Sequence, residues 1–194
     1  MSKTLFLVTA ASLSIFSLQP AHAGEVSTFL GGIDIGKNAA RYEVRAGGAL
    51  YDAGPFTPST FDGGVVNGEI LAPSPAFLAG IGSPRPYIGT DIAISDDPIH
   101  VFYAGLNWEA YLTDRFYLGF SLGGSVNTAD EKRNGDGDER DLGSPVLFHL
   151  QASAGFDFTR DIGVQAYLNH FSNANLATSN DGLESTGARL IYRF

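Results

Sequence analysis

Phe116-Tyr117-Leu118-Gly119-Phe120-Ser121-Leu122-Gly123-Gly124-Ser125-Val126-Asn127 decides the fold. Its even positions carry Phe116, Leu118, Phe120, Leu122, Gly124 and Val126, and its odd positions carry Tyr117, Gly119, Ser121, Gly123, Ser125 and Asn127. A period of two is the repeat of a strand with one apolar face. The preceding stretch repeats it, with Phe102, Ala104, Leu106, Trp108, Ala110 and Leu112 against Tyr103, Gly105, Asn107, Glu109 and Tyr111. So does Val146, Phe148, Leu150, Ala152, Ala154 and Phe156 against His149, Gln151, Ser153, Gly155 and Asp157. Near the start, Tyr42, Val44, Ala46 and Leu50 oppose Arg41, Glu43 and Arg45.

Such alternation describes a sandwich in water, or a closed barrel in a membrane, the one sheet that leaves no unpaired backbone edge in lipid. The N-terminus chooses between them. Met1-Ser2-Lys3, an apolar run from Leu5 to Leu18 and the small-x-small site Ala21-His22-Ala23 read as a secretory signal peptide over residues 1–23. That run is short for a spanning helix, which needs about 20 apolar residues. The mature chain is then residues 24–194, and losing Lys3 leaves 11 basic and 21 acidic groups, a net charge of −10. The final strand, Leu190-Ile191-Tyr192-Arg193-Phe194, ends on an aromatic residue and resembles those of bacterial outer-membrane barrels.

Turn lengths agree. Thr113-Asp114-Arg115 and Thr159-Arg160-Asp161 are tight, whereas Thr128–Ser144 is long and rich in acidic residues. Short turns at one rim and long loops at the other are the outer-membrane pattern. The expected fold is all-β: an eight-stranded antiparallel transmembrane β-barrel with short periplasmic turns and longer extracellular loops. Its strands are expected near 40–52, 63–72, 85–95, 100–112, 116–127, 145–158, 162–172 and 184–194, with residues 24–39 an unassigned N-terminal extension of this single domain. A barrel of this size has room inside for side chains and not for a pore. Inward Arg41, Glu43, Arg45, Glu109 and Arg189 are therefore expected to pair with one another. Phe116, Phe156, Phe158, Tyr192 and Phe194 fall at the tight-turn end as an aromatic girdle.

Composition closes several doors. The absence of cysteine excludes disulfides, thiol catalysis and cysteine-based zinc sites. Net charge −9 argues against nucleic acid as partner, because phosphates need Lys and Arg to neutralise them. His149 has inward parity and is expected to be hydrogen-bonded in the lumen, while His100 starts a strand at the outer rim and reads as solvated. The Asp130–Asp141 run lacks the ligand spacing of a calcium loop and reads as a solvated loop.

The last hairpin breaks the rule for the lipid face. Ile162, Val164, Ala166 and Leu168 set the outward parity of strand seven, and His170 and Ser172 continue it. On strand eight Phe194, Tyr192, Leu190 and Ala188 lead up the same face to Thr186 and Glu184. Ten residues at about 3.3 Å each and a tilt near 40° lift Glu184 about 25 Å, the height of the apolar band, to the outer boundary. If 170 and 184 pair directly, their side chains are neighbours about 5 Å apart. Ser, His and carboxylate on one surface are a nucleophile, a base and an orienter. Asn173 and Asn180 offer amide donors for an oxyanion.

His170-Phe171-Ser172-Asn173-Ala174, Asn180-Asp181-Gly182-Leu183-Glu184 and Gly187 to Phe194 resemble the C-terminal signature of the lipid A 3-O-deacylase (PagL) family. The Ser two residues and the Glu fourteen residues after the His match its spacing, as do Asn173 and Asn180. The family glycine five residues after the His is Asn175 here, a residue that tolerates left-handed backbone. The resemblance implies an outer-membrane esterase without cofactor or metal. Ser172 would attack an ester-linked acyl chain of lipid A, the lipopolysaccharide anchor in the outer leaflet, at its 3-O position. His170 would serve as base, Glu184 as its orienter, and Asn173 and Asn180 as oxyanion or substrate-binding donors. The resemblance also leaves room for a homodimer. The alternatives are a non-enzymatic barrel of adhesin or structural type and a lipid acyltransferase or phospholipase barrel.

Overall fold

The computed structural model describes residues 27–29, 32–57, 61–129, 132–133 and 139–194. The expected signal peptide and most of the acidic run from Asp130 to Asp138 lie outside the described residues.

Eight strands build the barrel: β1 (Glu43–Tyr51), β2 (Gly64–Leu71), β3 (Arg85–Ile94), β4 (Val101–Tyr111), β5 (Phe116–Asn127), β6 (Val146–Asp157), β7 (Ile162–Ser172) and β8 (Leu183–Arg193). Each pairs antiparallel with the next, and β8 returns to β1 with Leu190 opposite Ala46, so the sheet closes. The bounds fall within three residues of those read from the alternation. Residues 24–39, left unassigned by the pattern, contain two short strands, Ser27–Phe29 and Ile33–Ile35. The second lies on β4 with Asp34 opposite Tyr111. The reason is local. The pairing of β3 with β4 ends at Arg85 opposite Asn107, and beyond it the β4 edge would be open.

Parity holds around the ring. On β5, Leu118, Phe120, Leu122 and Val126 are exposed on the outer face, while Tyr117, Ser121 and Ser125 are buried within. The outer face of β1 through β3 carries exposed Val44, Leu50, Val66, Ile70, Ile88 and Ile94. In water that much exposed apolar surface would drive aggregation, and it belongs in hydrocarbon. Phe116, Phe156, Phe158, Tyr192 and Phe194 are all exposed near the short-turn rim. The two tight turns there share one device. Thr113 Oγ1 accepts from the backbone N–H of Arg115 and Phe116, and Thr159 Oγ1 accepts from that of Asp161 and Ile162.

Paired charges fill the lower lumen. Arg45 contacts Glu43, and reaches Glu69 at 3.2 Å and Glu109 at 2.8 Å. Arg85 bridges Glu43 (3.0 Å) and Glu109 (2.7 Å). Arg189 holds Glu69 at 2.6 Å, and Arg193 holds Glu43 at 2.5 Å and Asp157 at 2.7 Å. Arg41, expected among them, sits instead at the rim, where it binds Asp161 at 2.5 Å and the Arg193 carbonyl at 2.8 Å. It precedes β1, below the level at which inward parity delivers a side chain to the lumen. His149 lies in the lumen as expected, with Tyr87 OH at 2.7 Å and Asn169 Oδ1 at 3.1 Å. His100 is half-buried rather than solvated, because its Nδ1 accepts the Ala93 N–H at 3.2 Å.

Removing one member of such a buried network strands its partners. Arg45→Met should leave Glu43, Glu69 and Glu109 short of a cation and lower stability by about 3–5 kcal/mol, read as an earlier urea midpoint by Trp108 fluorescence in lipid vesicles.

Candidate active site

The upper end of the β7–β8 hairpin gathers the reactive groups. His170 lies directly opposite Glu184, in the same register that sets Ile162 opposite Tyr192. The odd residues between them, Gln165, Asn169, Ser185 and Arg189, are buried in the lumen. His170, Ser172 and Glu184 therefore project from the outer surface, the side that the parity requires.

The imidazole bridges the other two. His170 Nδ1 is 3.1 Å from Glu184 Oε1, and His170 Nε2 is 3.1 Å from Ser172 Oγ. Both distances are ordinary hydrogen bonds. The arrangement leaves Nε2 to take a proton from the hydroxyl while the carboxylate fixes the ring's tautomer and orientation. The His170 side chain keeps 21% of its surface accessible, whereas Glu184 keeps none.

That burial departs from the expectation of a carboxylate facing the membrane boundary. Strand parity does send Glu184 outward, but the loop after β1 folds over it. Glu184 Oε2 accepts from the Phe56 N–H (3.0 Å), the Thr57 N–H (3.0 Å) and the Thr57 hydroxyl (3.1 Å). The physical reason is the cost of placing an unsatisfied carboxylate against an apolar surround, which donors from a covering loop remove. The Phe56 ring meets the His170 ring edge-on at 5.7 Å.

Asn173 directly follows Ser172 and is hydrogen-bonded to Asn180, but much of the bonding capacity of both is committed. Asn173 is buried, and its Nδ2 donates to the carbonyls of Leu142 (2.9 Å) and Ser179 (2.6 Å). Its backbone N–H donates to Asn180 Oδ1 at 2.9 Å. Asn180 Nδ2 gives a hydrogen bond to Asn175 Oδ1 at 3.1 Å. The chain turns between them through Ala174 and Asn175, both left-handed at φ 54° and 60°, with the Leu176 N–H donating back to the Asn173 carbonyl at 3.0 Å. Asn175 thus takes the left-handed conformation expected of a glycine position.

One pair escaped the sequence reading altogether. Arg140, in the loop between β5 and β6, is buried against Asp52 at the start of the β1–β2 loop and also donates to the carbonyls of Asp181 and Gly182, each at 3.1 Å. It joins three loops behind Glu184. Neither alternation nor a spacing motif marks it, because loops carry no period.

Residues 99–193 match the family model described as lipid A 3-O-deacylase (PagL). That match makes the stretch from just before β4 to the end of β8 similar to the PagL family. Among solved structures, the outer membrane enzyme PagL superposes with a TM-score of 0.55 at 15% identity, covering 77% of this chain and 98% of that one. The N-terminal β-barrel domain of Pseudomonas aeruginosa OprF gives 0.54 at 11% identity, over 79% and 97%. Neisserial surface protein A gives 0.50 at 14% identity, over 79% and 97%. At these identities the superpositions speak for the fold, a small outer-membrane barrel. No curated protein matches the sequence. With its barrel fold and this match, the chain is a protein of the bacterial outer membrane, and the matched family is one of lipid A 3-O-deacylases.

The Asn173 amide is the clasp between the β5–β6 and β7–β8 loops. Asn173→Ala removes both of its carbonyl contacts, and a protease added to intact barrels should cut residues 141–144 or 174–181 faster than in the parent.

Proposed function

We propose that this protein is a serine esterase of the outer membrane that releases one ester-linked acyl chain, at the 3-O position, from lipid A. The observation that carries the reading is the hydrogen-bonded relay from Glu184 through His170 to Ser172 on the outer surface of the barrel, at the rim of its apolar band. The match of residues 99–193 to the lipid A 3-O-deacylase family supports the substrate class.

The acyl ester lies at the headgroup boundary, level with the end of β7. Ser172 Oγ passes its proton to His170 Nε2, 3.1 Å away, as it attacks the ester carbonyl. Glu184 Oε1 on Nδ1 balances the imidazolium that forms. The imidazolium then gives its proton to the departing sugar oxygen, leaving an acyl-Ser172 and a free hydroxyl on the sugar. Water, deprotonated by the same imidazole, attacks the acyl-enzyme, and a fatty acid leaves as Ser172 recovers its proton. No metal or cofactor enters this chemistry.

The oxyanion of each tetrahedral intermediate needs donors. Asn180 engages one amide proton with Asn175 and has a second to offer, so we assign it the substrate-facing role. Asn173 supports that role indirectly, since its N–H fixes Asn180 Oδ1 and so decides which side of the amide faces the site.

Lipid A from cells that overproduce the protein should lose the mass of one acyl chain. Ser172→Ala and His170→Asn should each slow that loss by about 10³-fold or more, because the hydroxyl and its base act as one unit. Mass spectrometry of lipid A reads both. Acyl loss at the parent rate from Ser172→Ala would contradict the assignment, and unchanged lipid A on overproduction would favour a non-enzymatic barrel.

A further inference from the structure

We propose that the loop after β1, residues 53–57, is a positioning strap for the Glu184 carboxylate, with Thr57 as its key side chain. The inference rests on the Ser-His-Glu reading and adds to it a group from the opposite end of the chain. A carboxylate beside an imidazole can swing, and either oxygen can face the ring. Here the choice is removed. Oε2 takes three hydrogen bonds from the strap, from two backbone N–H groups and the Thr57 hydroxyl, which leaves Oε1 for His170 Nδ1. Hydrogen bonds to a charged acceptor are stronger than neutral ones, and their directions fix the carboxyl plane.

The strap is itself anchored to β8 through both backbone groups of its first residue, Ala53. The Ala53 N–H donates to the Glu184 carbonyl at 3.2 Å, and Thr186 Oγ1 donates to the Ala53 carbonyl at 2.6 Å. Asp52, the residue before it, is held by Arg140 from the β5–β6 loop. Its close approach needs Gly54, since a Cβ there would stand 2.3 Å from Glu184 Oε2. Gly182 is tight from the other side: a Cβ there would be 2.6 Å from Thr57 Cγ2. Two residues without side chains thus make room for one threonine against one carboxylate. The barrel alone would leave Glu184 on an open surface. The strap encloses it and presents a single oxygen to the relay.

Thr57 touches no reacting atom, so its loss should act on turnover and leave substrate binding alone. The test measures kcat and KM for lipopolysaccharide deacylation by the full-length protein in detergent micelles, with heat-modifiable gel mobility to check folding. Thr57→Val should lower kcat about tenfold with KM within about twofold, the effect of one charge-assisted hydrogen bond. Thr57→Ser, which keeps the hydroxyl, should recover most of the loss. Gly54→Ala should lower kcat at least as much by pushing the strap off Oε2, and serves as the second variant if Thr57→Val does not fold. In a Glu184→Ala background, Thr57→Val should change nothing further, because there is no carboxylate left to position. Parent kcat in Thr57→Val, or a Thr57→Val loss that persists without Glu184, would overturn the strap. A fully active Glu184→Ala protein would instead sink the relay on which it rests.

Discussion

Hydrocarbon offers no partner to a backbone N–H or C=O, so a sheet placed in it has to close on itself. Closure at eight strands makes every later feature a question of which way a residue points. The even residues of β4 to β8 face lipid and have to be apolar, while the odd ones face a lumen too narrow for a water column and have to satisfy one another. Arg45, Arg85, Arg189 and Arg193 are answered there by Glu43, Glu69, Glu109 and Asp157. The network fills the space that a pore would need.

Polar side chains on the outer face conflict with that rule, and the site lies where the conflict is least costly. At the upper end of β7 and β8 the cost of a polar group falls towards zero as headgroups replace acyl chains. His170 and Ser172 stay partly open to that boundary, where an ester bond of a lipid would lie. Glu184 is removed from it altogether, buried beneath the loop after β1. In the proposed relay the carboxylate that orients the imidazole is kept from lipid and water, while the Ser172 hydroxyl remains reachable.

Loops complete what strands begin. The β7–β8 hairpin brings His170, Ser172 and Glu184 to one surface, but Asn173, Asn180, Arg140, Asp52 and Thr57 are arranged by contacts among three loops that are far apart in sequence. Ala174 accepts a left-handed conformation that costs a non-glycine residue about 1–2 kcal/mol, which marks this turn as held from outside.

The sequence by itself determined the strand count, the two faces, the tight turns and the register of the last hairpin, because period two has only two phases and one pairing aligns both apolar faces. It also put His170 and Glu184 on one face at matching height, and at position 175 a residue that tolerates left-handed backbone. What only the tertiary structure decided is the surrounding of that pair: the burial of Glu184, the commitment of the Asn173 amide to Leu142 and Ser179, and the Arg140–Asp52 contact. The strap residues Phe56 and Thr57 lie in a stretch without alternation, 127 or more positions from the carboxylate they hold. Strand contacts repeat and leave a trace in the sequence, whereas a loop contact is made once, by whichever donors the closed barrel brings within reach.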